Sequence, residues 1–298
     1  MGGALQIGKV STPTIDMGRS EAELSMDRQS SVERYPRFSM LGFPVDALSK
    51  NDLVDLVAEA VDERRRYIIG HHNLHSIYLS YHEPRMLEFY RRADFAHVDG
   101  MAVVLAGRLL GLPLTRTDRT GYADLLPLLA QRAAISGWRI FYLGSGPGIA
   151  EQGAKKLRSQ YPQIQIQTRH GYFDDAGGPA NREILEEIQR FDPQILLVGM
   201  GMPRQEIWIL ENLERLQANA VFCCGALMDG VAGEIPSAPR WLGQIGLEWL
   251  YRLIMEPRRL WRRYLLEPWS VLMLLAREWL MQASRNSEAA DGEDPHSR

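Results

Sequence analysis

Trp138-Arg-Ile-Phe-Tyr-Leu-Gly-Ser-Gly-Pro-Gly-Ile-Ala150 decides the fold: an apolar strand runs into a glycine loop, and the chain continues as a helix through Gln160. A strand with no polar alternation is buried on both faces, as in a parallel sheet covered by helices. The same alternation recurs on both sides of this stretch. Upstream, Arg66 to Gly70 reads as a short strand closing at His71-His72-Asn73. Leu74 to Arg92 is helical, with Pro84 marking a turn or a new start. Phe95 to Val98 is a strand stopped by Asp99-Gly100, and Met101 to Leu110 is a helix. Thr120 to Ser136 is an amphipathic helix with Thr120 as its N-cap. Downstream, strands at Ile164–Thr168, Gln194–Gly201 and Ala220–Gly225 alternate with helices at Arg182–Phe191 and Glu206–Leu216. This predicts one α/β core over residues 38–235, with a parallel sheet covered by helices.

Composition narrows the function. At 298 residues, 45% hydrophobic and 24% charged, the chain is a globular protein large enough for one big domain or two small ones. A net charge of -3 argues against a general nucleic-acid binder, so no nucleic-acid partner is expected. Cys223 and Cys224 are adjacent in an apolar run, which reads as a buried strand in a reducing compartment and not a disulfide framework. Residues 1–37 are rich in Ser, Gly and charge and read as a disordered lead without a signal-peptide core. Residues 285–298 read as a loose polar tail.

The C-terminal stretch differs from the core. Between residues 236 and 284 lie Trp241, Trp249, Trp261, Trp269 and Trp279, five of the seven tryptophans, interleaved with Arg240, Arg252, Arg258, Arg259, Arg262, Arg263 and Arg277. Indole rings suit a membrane interface and arginine forks suit phosphate. The longest apolar run there, Trp269 to Ala276, is far short of the roughly 20 residues that span a bilayer. The expectation is a helical, membrane-associating appendage that meets an anionic membrane surface. The alternative is an amphipathic helix pair packed on its own core or on a partner subunit.

Ligands of parallel α/β sheets sit at the carboxyl ends of the strands, beside helix N-termini. Gly144 and Ser145 open a loop whose small residues let backbone amides approach a phosphate or ribose, or simply make a tight turn. In Gly199-Met-Gly201-Met-Pro-Arg-Gln205-Glu206 an amide and a carboxylate fall in the first turn of a helix. They can hold a uracil or a sugar hydroxyl, and Glu206 can equally serve the helix dipole. Asp99, after a strand and before Gly100, is set to be a general base, or else a cap for the helix at Met101. His71 and His72 point to opposite faces of a strand and no Cys or carboxylate set joins them, so no metal site is expected. Arg119 and Thr120 precede a helix N-terminus, and Asp229 follows a glycine-rich strand exit.

Taken together, these motifs resemble the WecG/TagA/CpsF glycosyltransferase family (family 26). The matching elements are Asn73, Ala93-Asp94, Asp99-Gly100, Thr120-Gly121, Tyr142-Leu-Gly-Ser145, Gly171-Tyr-Phe173, Val198 to Glu206, Gly225 to Asp229, Gly246 to Leu253 and Glu256-Pro-Arg-Arg259, in order from about Phe43 to Trp279. The resemblance implies a Rossmann-like core that moves a sugar from a UDP-sugar to a polyprenyl-diphosphate-linked saccharide, on the cytoplasmic face of the cell membrane, in cell-surface or exopolysaccharide synthesis. It casts Asp99 as catalytic base, Asn73 as a substrate-binding neighbour, Gln205 as part of the nucleotide-sugar site, and the appendage arginines as contacts for the diphosphate. Some relatives carry Thr where this chain has His71, two residues before the Asn.

The expected reaction is an inverting single displacement. With no Asp-x-Asp motif in the chain it is expected to need no metal, leaving Arg240, Arg252 and Arg258, then Arg119, to meet the charge on the departing UDP. The competing reading is a non-catalytic nucleotide-sugar-binding or scaffold subunit of a polysaccharide assembly complex. An NAD(P)-dependent oxidoreductase is disfavoured, because Arg169-His170, not an acidic residue, follows the next strand. The sequence leaves room for a homo-oligomer and leaves the donor sugar open among N-acetylmannosamine, its uronic acid and glucose.

Overall fold

A computed structural model describes residues 34–174, 177–236, 242 and 246–291, with side chains as far as Met281. The expected lead over residues 1–33, Arg240, Trp241 and the tail over 292–298 lie outside the described residues. The α/β core and the C-terminal helices belong to one compact unit that begins at Tyr35.

The fold is an 8-stranded sheet in the order β1-β2-β4-β3-β8-β7-β5-β6. Its strands are β1 (Arg37–Met40), β2 (Phe43–Asp46), β3 (Tyr67–His72), β4 (Phe95–Val98), β5 (Arg139–Gly144), β6 (Gln165–Arg169), β7 (Ile195–Gly199) and β8 (Ala220–Cys223). From β2 to β6 every pairing is parallel. Every residue of β3, β7 and β8 is buried, as a doubly covered sheet requires.

One correction concerns the edge. β1 and β2 form an antiparallel hairpin, with Met40 opposite Phe43, so the sheet is mixed and not wholly parallel. Both turn residues, Leu41 and Gly42, have positive φ (54° and 80°), the backbone twist favoured in two-residue hairpins. Asp46, 1% exposed, fastens the hairpin: it takes the Arg37 guanidinium at 2.6 Å and the Ala96 amide of β4 at 2.6 Å.

Covering helices are α1 (Lys50–Asp62), α2 (Leu74–His82), α3 (Pro84–Arg92), α4 (Met101–Leu109), α5 (Tyr122–Ser136), α6 (Ile149–Gln160), α7 (Pro179–Phe191), α8 (Arg204–Asn212) and α9 (Leu227–Ala232). The C-terminal region adds α10 (Glu248–Met255), α11 (Pro257–Trp261), a π-helical turn (Arg262–Leu266) and α12 (Glu267–Asp291). α12 thus continues through Arg285, where the sequence suggested a loose tail.

The hairpin is also the seat of α12. Val271 and Leu275 are buried in a cluster with Met40, Leu41 and Phe43 of the hairpin, Ile77 of α2, and Val103 and Val104 of α4. His75 Nδ1 of α2 meets Glu267 Oε2 at 2.5 Å at the start of the same helix. The opposite side of α12 leaves Trp269, Leu272, Met273, Trp279 and Leu280 exposed. Among the described residues no helix is long and apolar enough to cross a membrane.

Candidate active site

The carboxyl ends of β3, β4, β5, β7 and β8 share one edge of the sheet and carry two polar clusters. The first is built on adjacent strands β3 and β4. Asn73 caps α2, accepting the Ser76 amide on its Oδ1 at 3.0 Å. That fixes the carboxamide, so its Nδ2 donates to Asp99 Oδ2 at 3.4 Å. His71 Nε2 lies 4.0 Å from the same oxygen. Asp99 is not a helix cap, since Gly100 holds that position for α4. Its other oxygen, Oδ1, accepts no hydrogen bond among the described residues, and the side chain is 29% exposed. One oxygen is held and the other is open.

Charge around Asp99 favours its ionised form. Burial alone would raise its pKa, but His71, His97, Arg252 and Arg119 outweigh burial and lower it. Burial keeps His71 largely neutral and pushes His97 down to about 3, so the lasting positive charges at neutral pH are the arginines. Arg119 reaches Asp99 because its loop bridges to Val98 at the end of β4. It is held by Glu248 of α10 at 3.0 Å. Glu248 also takes Arg252 at 2.9 Å, one turn along the same helix. Arg263 stands in the π-helical turn, a distortion common at functional sites. Burial lowers its pKa, Asp99 is among the charges that offset this, and its Nε has no partner among the described residues.

The second cluster lies at β5, β7 and β8. Adjacent strands β5 and β7 send their chains to β6 on one side and β8 on the other, so their loops diverge at a topological switch point. The strand ends touch: a Cβ on Gly144 would lie 2.2 Å from the Gly199 carbonyl oxygen, and one on Gly199 would lie 2.3 Å from the Tyr142 hydroxyl. Ser145, in the left-handed region at φ 55°, donates to Asp229 Oδ2 at 2.6 Å and pairs with the Tyr142 hydroxyl at 2.8 Å.

Gln205 and Glu206 lie inside the fold rather than on its surface, and both are fully buried. Gln205 Oε1 accepts the Gly201 amide at 3.2 Å and the Gly225 amide at 3.0 Å, while its Nε2 donates to Glu206 Oε1 at 2.8 Å. Its Oε1 thus staples two loops together, and neither side chain is exposed to solvent. Burial raises the Glu206 carboxyl to about 7, although the Gln205 hydrogen bond works the other way.

Thr120 is 1% exposed and donates to the Leu48 carbonyl at 3.1 Å, while Gly121 is the N-cap of α5, so Thr120 neither caps that helix nor faces the cleft. Arg258 is exposed on α11. Arg259 pairs with Glu256 at 2.6 Å, and Asp229 is among the carboxylates that raise its pKa, which places it towards the second cluster. His72 is taken up by Ser76 and the Pro44 carbonyl and stacks on Tyr90. Among the described residues no three of His, Cys, Asp or Glu converge on a metal-sized site. Sequence reasoning missed Tyr122, packed edge-on against His71 and His97, and gave Arg263 no special role. Strand spacing could have pointed to His97, two residues before Asp99 on β4. A π-helical turn has no recognisable spacing.

A model of the "Glycosyl transferase WecG/TagA/CpsF family" matches residues 38–285. A curated relative from Staphylococcus aureus (strain MW2), an N-acetylglucosaminyldiphosphoundecaprenol N-acetyl-beta-D-mannosaminyltransferase, is 28% identical over 176 residues, 59% of this chain and 67% of the relative.

Proposed function

From the premise that this chain belongs to the WecG/TagA/CpsF family of glycosyl transferases, we propose that it moves a sugar from a UDP-sugar to a polyprenyl-diphosphate-linked saccharide with inversion at the anomeric carbon. The observation that carries this reading is Asp99, with Oδ2 held by Asn73, Oδ1 open, and arginines from the core and the appendage around it.

In the proposed step Asp99 Oδ1 takes the proton of the acceptor hydroxyl. That oxygen forms a bond to the anomeric carbon as the bond from that carbon to UDP breaks, and the electron pair leaves with the β-phosphate. General-base help of this kind contributes about 10²–10⁴-fold. Because Asp99 is held below the ordinary carboxylate range, it is ionised and ready at neutral pH. Arg119, Arg252 and Arg263 meet the negative charge that grows on the diphosphate, and the helix N-termini at the strand ends add to it. The nucleotide lies over the Gly144–Gly148 loop at the switch point, with Ser145 and Asp229 beside it.

The appendage brings protein and acceptor together at the membrane. Its exposed tryptophans and leucines enter the interface, and each arginine at the surface of an anionic bilayer adds about 1 kcal/mol. On this reading the enzyme works at the inner face of the cell membrane. The name of the staphylococcal relative makes N-acetylmannosamine the first donor to try and a diphosphate-linked N-acetylglucosamine the first acceptor.

The test is a donor screen with the full chain, anionic liposomes and such an acceptor, following UDP release in wild type and Asp99→Asn. Acceptor-dependent release that disappears in the variant is the expected result. Bound UDP with no turnover of any donor would instead favour a non-catalytic nucleotide-sugar-binding subunit.

A further inference from the structure

Resting on the reading of Asp99 as the base, we propose that Gly121 is a specificity-determining residue that keeps Asp99 Oδ1 accessible to the acceptor hydroxyl. Nothing in the backbone asks for glycine there. Gly121 has φ -83° and ψ 147°, extended values open to any residue. It is the N-cap of α5 and gives that helix no side-chain hydrogen bond, although Ser, Asp or Asn would cap it better. The helix therefore forgoes stability at this position.

What the missing side chain leaves is space beside the reacting oxygen. A Cβ at residue 121 would lie 3.6 Å from Asp99 Oδ1 and 3.3 Å from Arg119 Nη2. The first is an ordinary contact and the second asks the Arg119 guanidinium to give by a few tenths of an ångström, so a methyl group can be accommodated, but it sits against the Asp99 oxygen that accepts no hydrogen bond among the described residues. The residue is buried, so it forms the floor of the cleft and not its rim. A hydroxyl entering to deliver its proton to Oδ1 needs the volume that a Cβ would fill.

Two variants separate this role from folding. Gly121→Ala adds only the methyl group. Gly121→Ser adds a better cap as well, so its stability holds or rises while its Oγ competes for Oδ1. Gly178→Ala, at the N-cap of α7 with φ -67° and ψ 179°, measures what losing a cap glycine costs elsewhere. The probe is a short-chain polyprenyl-diphosphate-linked N-acetylglucosamine, with kcat/KM for it, its binding by tryptophan fluorescence, and UDP binding all measured.

Both Gly121 variants should lose about 10- to 100-fold in kcat/KM for this acceptor, bind it more weakly and keep UDP affinity, while Gly178→Ala stays near wild type. Acceptor binding and use at wild-type level in both Gly121 variants would overturn the proposal. If wild type binds the acceptor but transfers no sugar, while Gly121→Ser fails to bind, the transferase reading falls and the role of Gly121 stands. If wild type neither binds nor transfers, both fall. Repeating Gly121→Ala with Arg119→Ala removes the guanidinium contact. A binding loss that vanishes in that background would mean Gly121 acts through Arg119 and not on Oδ1.

Discussion

The two polar clusters at the sheet edge use similar residues in opposite ways. At β4 a carboxylate is held by one oxygen and left open at the other, with arginines around it. At β7 a carboxylate and an amide are fully buried, and the amide's groups are spent on two backbone amides and on that carboxylate. Both clusters keep an oxygen without a partner among the described residues, Asp99 Oδ1 and Glu206 Oε2, so the difference is access: the Asp99 side chain is partly exposed and can meet a substrate, while Glu206 is sealed in the fold.

The widest separation between the clusters should come from Asp99→Asn. It removes the proton acceptor without changing shape, so transfer should fall by about 10²–10⁴-fold while the urea midpoint stays where it was. A variant that loses stability in step with activity would mean that Asp99 is architectural too.

Gln205→Ala is the mirror experiment. Two buried amides and Glu206 would lose their partner, at a cost of about 2–3 kcal/mol in unfolding free energy. Transfer should suffer only through the loosened Gly201 and Gly225 loops, read as a raised KM for the donor. A stable variant with normal donor KM and a collapsed kcat would place Gln205 against the substrate after all.

How far this contrast was legible in the sequence follows from what each feature needs. Parallel strands with continuous apolar runs give themselves away, and β4, with Asp99 at its end, falls where the sequence put it. The β1–β2 hairpin did not announce itself, because Pro44 argues against a strand and Leu41 is an unexpected residue for a positive φ. For Gln205 spacing reveals a helix's first turn but not that its carbonyl oxygen accepts two loop amides. Arg263 was hidden among other arginines, because only a π-helical turn sets it apart.

Arg252→Ala sharpens the first cluster. Removing a positive charge near a carboxylate raises that carboxyl's pKa, so the acid limb of the kcat/KM profile should move to higher pH, while the charge no longer offered to the departing diphosphate costs about tenfold at neutral pH. An unmoved limb would mean that Arg252 does not act on Asp99.

The smallest effect probes the second cluster's carboxylate. Folding raises the Glu206 carboxyl from its ordinary 4.5 to about 7. Between those values the native state holds a proton that the unfolded chain has released, so stability from this group is full below about 4.5 and declines as pH rises to about 7. Glu206→Gln removes the titration. The amide it introduces is buried where Oε2 had no partner among the described residues, which offsets much of the gain and leaves on the order of 1 kcal/mol in the variant's favour at pH 8. The diagnostic is the slope: unfolding free energy measured across this range should fall with pH in wild type and flatten in the variant. Parallel curves would mean that Glu206 is ionised in the folded protein and has a charged partner. The simple division between an accessible cluster and a sealed one would then fail.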